Sequence, residues 1–186
     1  EAHARRLREG LEQNIGLVIA KAIVGLVEAG VPEVEIARIG IEFGVRRNQG
    51  WNAGLVILAD MARVLPKLDR TGRILALYHG LSQVARSSAG RGHRYLLGPL
   101  PSAEVPAERL MRWYRQCVEV RDTRGAERIL LTAIGQGMPV ERIADMMLAA
   151  VTDHFYLDGG HTFDFHNKAL EALQIVSEEE KTYVLA

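Results

Sequence analysis

Apolar residues along the chain recur at intervals of three and four, which is the period of an amphipathic helix. An apolar stripe from Leu11 to Leu26 predicts one helix that ends at Gly30, because glycine commonly stops a helix. No segment shows the two-residue alternation of a β-strand. The sequence therefore predicts an all-α fold, a multi-helix bundle.

The same periodicity predicts further helices along the rest of the chain. They span residues 33–47, 52–66, 69–89, 104–120, 122–136, 139–155 and 160–175, with another helix start at 177. Pro32 and Pro139 each open a helix, where the missing amide donor of proline costs nothing. The Gly- and Pro-rich stretch before residue 104 is interpreted as a connection between two halves.

The chain matches itself without gaps at the offset of 107 residues that separates Gly30 from Gly137. The other matching pairs are Pro32 and Pro139, Ile36 and Ile143, Ala37 and Ala144, and Ala62 and Ala169. The match predicts two similar repeats of about four helices each within a single domain, residues 1–186. Repeat one spans about 5–89, the connector about 90–103, and repeat two about 104–186. Residues 177–186 then form the first half of a helix that is cut short.

Charge and composition exclude several classes of protein. The 23 basic and 23 acidic residues cancel, so nucleic acid and anionic membranes are not expected partners. The longest apolar run, Ile15–Val27, is too short to cross a bilayer. The single cysteine, Cys117, excludes an intramolecular disulfide and a cysteine-held iron–sulfur cluster, and it favours a cytoplasmic protein.

The neutral total conceals an asymmetry between the two halves. Residues 1–100 hold 14 Lys and Arg against 9 Asp and Glu, and residues 101–186 hold 9 against 14. In the basic half, Arg46 and Arg47 occupy the place that an acidic and histidine-rich segment occupies in the other half. These arginines are predicted either to bind a carboxylate or to pair with that segment.

That segment, here called the acidic–histidine cluster, carries the candidate chemistry of the chain. Its members are Asp153, His154, Asp158, His161, Asp164 and His166. His161 and Asp164 are three residues apart and share a helix face, whereas His166 lies about 140° around the helix and is the weaker candidate. Gly159 and Gly160 permit a sharp turn that would bring the rings of His154 and His161 close together.

A further histidine, His79, has apolar neighbours on both sides of its helix, which predicts an inward-facing imidazole. Together with His154 and His161, and with Asp153 and Asp164 as ligands or orienting groups, it would form a mixed nitrogen and carboxylate site. Such a site suits divalent iron, zinc or manganese. The same residues also fit a metal-free polar pocket with acid–base chemistry, or helix capping and surface ion pairs with no chemistry.

Several tracts of the chain resemble the helical region of bacterial proteins that carry an attached Rieske iron–sulfur domain. These tracts are Phe43–Asn48, Leu77–Arg86, Val118–Asp122, Gly125–Glu127, Thr152–His161, Asp164 and Asn167–Ala169. The resemblance implies an oxidoreductase-linked protein in which a Rieske domain, in another part of a longer chain, passes electrons. The [2Fe-2S] cluster itself cannot be held here, because it needs two cysteines and two histidines. His79, Asp153, His154 and His161 lie inside the matching tracts, and the resemblance assigns them no role.

Two hypotheses follow from the sequence. In the first, the chain is a helical, metal-binding domain of a larger Rieske-associated oxidoreductase that acts on a small molecule of unknown identity. In the second, it is a non-catalytic helical interaction or dimerisation module that forms a homo-oligomer. The acidic–histidine cluster then pairs with Arg46 and Arg47.

Overall fold

The computed structural model describes residues 1–101, 104–154 and 159–186, and these residues form α-helices, short 3-10 turns and irregular segments with no strand. The α-helices are α1 Ala2–Glu12, α2 Gly16–Glu28, α3 Glu33–Val45, α4 Ala53–Val64, α5 Arg70–Ser88, α6 Ala107–Glu119, α7 Thr123–Gly135, α8 Val140–Thr152, α9 His161–Ala172 and α10 Lys181–Leu185. The predicted all-α fold is confirmed. Within the described chain, no helix has the length and apolar character that a bilayer crossing requires.

The first predicted helix is wrong in one respect, because its apolar stripe spans two helices. The chain breaks at Asn14, whose φ of 52° is left-handed, a conformation that asparagine tolerates better than most residues. The amide of Ile15 donates to the carbonyl of Gly10 at 2.9 Å and so closes the end of α1. Periodicity did not detect the break, since Leu11 and Ile19 are both buried on either side of it.

The chain divides into two compact units. Unit 1 comprises Glu1–Arg94 and Glu171–Val184, and unit 2 comprises Tyr95–Leu170 with Leu185–Ala186. The division does not follow the predicted repeats exactly, because Glu171–Val184 belongs to unit 1.

In unit 1, α5 is the central helix and packs against α1, α2, α3 and α4. The contact of α5 with α4 is especially close: a Cβ added at Gly80 would lie 2.9 Å from the backbone Cα of Leu58. Both helices begin with a side-chain cap, since Asn52 accepts from the amide of Gly54 and Asp69 accepts from the amide of Gly72. The caps therefore define the first residues of α4 and α5. The lack of a side chain at Gly80 allows the two helices to pack closely against each other.

The segment of unit 1 near the end of the chain becomes helical close to the predicted start at 177. The backbone amide of Ser177 donates to the Glu42 carboxylate at 3.0 Å, and a 3-10 turn over Glu178–Glu180 leads into α10. The side chain of Val184 is fully buried. This short segment is thus anchored to unit 1 by both polar and apolar contacts.

In unit 2, α6 packs against α7 and α8 around a core that includes Leu110, Tyr114, Ile129 and Met146. The predicted connector is irregular from 91 to 101, and its residues 102 and 103 lie outside the described residues. Its backbone is held by side chains of α7: the amide of Leu97 donates to Glu127 at 2.7 Å, and the amide of Leu100 donates to Thr132 at 2.9 Å.

Helix bounds in the two units recur at nearly the spacing of the sequence match. The 13-residue helices α2 and α3 correspond in length to α7 and α8, and each pair is separated by 107 positions. Left-handed backbone recurs as well, at Asn14 and Arg121 with φ of 52° and 58°, and at Gly30 and Gly137 with φ of 76° and 73°. An origin by duplication stays a prediction.

We expect Gly80→Ala to lower the free energy of unfolding by about 1–3 kcal/mol, because the new methyl group must push α4 and α5 apart. Gly135→Ala is the matched control, since no heavy atom lies within 4 Å of the added Cβ. It should be neutral or stabilising by no more than about 1 kcal/mol, as alanine favours helix. Urea unfolding followed by circular dichroism measures both, and equal effects of the two variants would contradict this account of the packing.

Candidate functional site

The first two residues of the acidic–histidine cluster lie where α8 ends, and both contact α6. The Asp153 carboxylate accepts two hydrogen bonds from the Arg115 guanidinium, at 2.5 Å each. Nε2 of His154 lies 2.5 Å from a carboxylate oxygen of Glu119. Arg115 and Glu119 are four residues apart, so they share one face of α6. An Arg–carboxylate ion pair and a neighbouring His–carboxylate contact therefore join the ends of α6 and α8.

The Arg115–Asp153 contact is an ion pair whose two pKa values respond to each other. Hydrogen bonding from Arg115 holds the pKa of Asp153 below its usual value, and the same contact raises the pKa of Arg115. The paired form of Asp153 is thus the charged carboxylate, which accepts protons poorly at neutral pH. This favours a structural ion pair over a general base.

The later members of the cluster lie on α9. His161 is the first residue of the helix, and its ring stacks on Phe165 with the ring centroids 6.1 Å apart. Asp164 is half-buried in the first turn, where its charge is favourable to the helix dipole. Nδ1 of His166 lies 2.7 Å from the carbonyl oxygen of Thr162, and burial lowers the pKa of this imidazole.

His79 is exposed on α5 in unit 1, so the prediction of an inward-facing imidazole is wrong. The residues buried on that helix include Ala76, Leu77 and Gly80, and His79 falls on its other face. Some apolar neighbours of His79 in the sequence, such as Leu77 and Leu81, are buried, whereas Leu75 is exposed. Hydrophobic neighbours in sequence did not indicate which way the imidazole points.

Arg46 and Arg47 each pair with a glutamate of the same chain. Arg46 donates to both carboxylate oxygens of Glu180, with contacts of 2.7–3.1 Å, and this hydrogen bonding raises the pKa of Arg46. Arg47 binds Glu12 at 2.6 Å and the carbonyl of Arg91 at 3.2 Å. Glu180 and Glu12 are not members of the acidic–histidine cluster.

The Arg46–Glu180 pair is part of a larger polar arrangement within unit 1. The guanidinium carbon of Arg46 lies 4.0 Å from the ring centroid of Tyr183, a cation–π contact. Nε1 of Trp51 donates to the carbonyl of Val184 at 2.7 Å. The Glu180 side chain is only 13% exposed. These contacts fasten Glu180–Val184 to the end of α3 and the loop that follows it.

Sequence reasoning did not single out Arg115, Glu119, Glu180 or Tyr183. A usable signal existed for the first two, because Arg115 and Glu119 have the i,i+4 spacing of a charged helix face. No local pattern could connect Glu180 with Arg46, since 134 positions separate them.

No three side chains among the described His, Cys, Asp and Glu residues are grouped so as to hold a metal ion. Asp158 lies outside the described residues, as do the neighbouring positions 155–157 of the Rieske-like tract. Comparison with family models, curated proteins and solved structures found no match. The ligand set of His79, His154, His161, Asp153 and Asp164 and the link to Rieske-associated proteins therefore stay predictions from the sequence.

We expect Asp153→Asn to destabilise the protein near pH 6, and we expect the difference to shrink as the pH falls below 3.8, because the folded pKa of Asp153 is depressed. A carboxylate whose pKa is lower in the folded state stabilises the protein at pH values above its ordinary pKa of 3.8. This stabilisation is lost as the pH falls through the folded pKa. Thermal melting of the protein and the variant at several pH values measures it. Asp145→Asn, at an exposed position of α8, is the control. A pH-independent difference would contradict the ion-pair assignment.

We expect Glu180→Gln to lower the free energy of unfolding by about 1–2 kcal/mol, because a partly buried, charge-assisted pair is lost. Glu179→Gln is the matched control at the adjacent exposed position and should change it by less than about 0.5 kcal/mol. Urea unfolding of both variants measures these changes. Indistinguishable midpoints for the two variants would show that the Arg46–Glu180 pair does not stabilise the fold.

Proposed function

We propose that the protein is a non-catalytic helical interaction module that associates with a second copy of itself through the outer face of α2. The main support for this proposal is the exposure of large apolar side chains on this helix. Leu17 is 66% exposed and Val24 is 38% exposed, although both lie on a helix inside a packed unit. Exposed apolar patches of this kind are typical of interaction surfaces.

The composition of α2 supports an interface on its outer face. Lys21 and Glu28 are the only charged residues of the helix, and its opposite face is already buried at Ile19, Ala22 and Ile23. The other residues of α2 are apolar or glycine, so its outer face is mixed, with apolar and charged side chains in alternation. Tyr78 lies beside the start of α2, because its hydroxyl would be 3.0 Å from a Cβ at Gly16.

The order of residues on this face favours a second copy as the partner. Leu17, Lys21, Val24 and Glu28 are spaced by four, three and four residues and therefore form one stripe. If two such helices cross antiparallel near Val24, Lys21 of each copy lies opposite Glu28 of the other. A two-fold interface requires this kind of self-complementarity. The charges then fix the register, and the apolar side chains supply the buried area.

A charge exchange tests the proposal. We expect Lys21→Glu and Glu28→Lys, each alone, to weaken self-association by about tenfold or more, because each places two like-charged pairs in the interface. The double variant should restore association. Sedimentation velocity over a range of protein concentrations measures this, and Lys67→Glu, an exposed change on another segment, is the control.

A chain that stays monomeric at all concentrations would overturn the proposal, as would association that both single variants leave intact. Circular dichroism of each variant shows whether it is folded, and these exposed positions should not affect folding. Leu17→Asp is a second probe, since it removes the apolar contact without changing Lys21 or Glu28.

A further inference from the structure

Unit 2 contains an apolar pocket of about 340 Å³ between α6, α7 and the connector. Its apolar lining comes from Leu100, Trp113, Cys117, Val120 and Ile129. Burial raises the pKa of the Cys117 thiol, so this side chain is neutral and acts as part of the apolar wall. The volume lies at the lower end of the range for small-molecule sites.

The pocket opens to solvent, and its mouth is apolar. Val120 is 73% exposed and Trp113 is 37% exposed. Trp113 and Val120 lie seven residues apart along α6 and its end, so they border the same side of the opening. An aliphatic or aromatic ligand group that enters here covers apolar surface that water otherwise contacts.

Arginines of α6 and α7 lie close to the lining residues along the chain, and Arg109 contacts one of them, while the Asp122 carboxylate lies on the other side of the pocket beside Gly125. The Arg109 guanidinium carbon lies 5.8 Å from the ring centroid of Trp113, and the exposed Arg112 is one turn before Gln116, which also lines the pocket. Arg121 and Arg124 are exposed neighbours of the lining residues Val120 and Gly125. In the described chain none of these four arginines forms a salt bridge, whereas the nearby carboxylates are engaged. Those carboxylates and their partners are Glu108 with Arg142, Glu119 with His154, Asp122 with the amide of Gly125, and Glu127 with the amide of Leu97.

We infer that this pocket binds a free medium-chain carboxylic acid. The aliphatic chain occupies the apolar cavity, and the carboxylate binds at the mouth to Arg109 and Arg112. Charge complementarity selects this ligand class: the lining provides almost no polar partner, while arginine binds carboxylates in a bidentate manner. The inference does not depend on the proposed self-association, which uses the outer face of α2 in unit 1.

Decanoate is the probe, measured by isothermal titration calorimetry below its micelle-forming concentration, with decanol and acetate as comparison ligands. We expect saturable binding of decanoate, weaker binding of decanol and no binding of acetate. The double variant Arg109→Ala, Arg112→Ala should lower the affinity for decanoate about tenfold and leave that for decanol unchanged. Arg6→Ala with Arg8→Ala, also two exposed arginines on a helix, is the matched control.

Two further readouts locate the binding. Cys117 is the only cysteine, so its rate of reaction with a small disulfide reagent should fall several-fold in saturating decanoate. Val120→Asp places a negative charge at the mouth and should weaken decanoate binding without affecting the fold, because this side chain is largely exposed.

Absence of saturable decanoate binding would overturn the inference. So would an equal loss of affinity in the control variant, or an unchanged rate at Cys117. Binding to phosphatidylglycerol vesicles without saturable binding of free decanoate would assign the surface to a membrane instead and would also overturn it.

Discussion

The close approach of α4 and α5 is the constraint on which the rest of unit 1 depends. Gly80 lies against the backbone of Leu58, and Gly40 of α3 lies against the side chains of Leu58 and Leu81. Because α5 contacts four other helices, its position decides where each of them can pack. A side chain at Gly80 would meet backbone and separate α4 from α5, whereas at Gly40 the ends of the Leu58 and Leu81 side chains would have to shift.

The charged residues have a different role, which is to hold segment ends in place. Arg115 with Asp153 ties α6 to α8 within unit 2, and Arg46 with Glu180 ties the segment Glu171–Val184 to the body of unit 1. Exposed pairs contribute little energy, whereas a bidentate pair with a largely buried carboxylate contributes more and fixes geometry. Of the candidate residues predicted from the sequence, Asp153 and His154 therefore connect two helices, α8 and α6.

The sequence predicted helices well because each buries one face, and burial imposes a period that is visible locally. Predicted bounds such as 122–136 and 139–155 lie close to the observed α7 and α8. The break at Asn14 was missed, since two buried faces happened to continue one stripe across it. The orientation of His79 was missed for a related reason, because sequence neighbours do not show which residues another helix will cover. Partners distant in sequence, such as Arg46 and Glu180, leave no periodic signal at all.

Two exposed residues, one in each unit, lie 107 positions apart, which is the offset at which the sequence matches itself. Leu17 is the second residue of α2, and Arg124 is the second residue of α7, a helix of the same length. Both side chains are exposed, and both helices fold. Since the Leu17 side chain is largely exposed, packing within unit 1 does not explain the leucine. The leucine in unit 1 fits the proposed protein-covered surface, whereas the arginine in unit 2 precedes Gly125 of the apolar pocket.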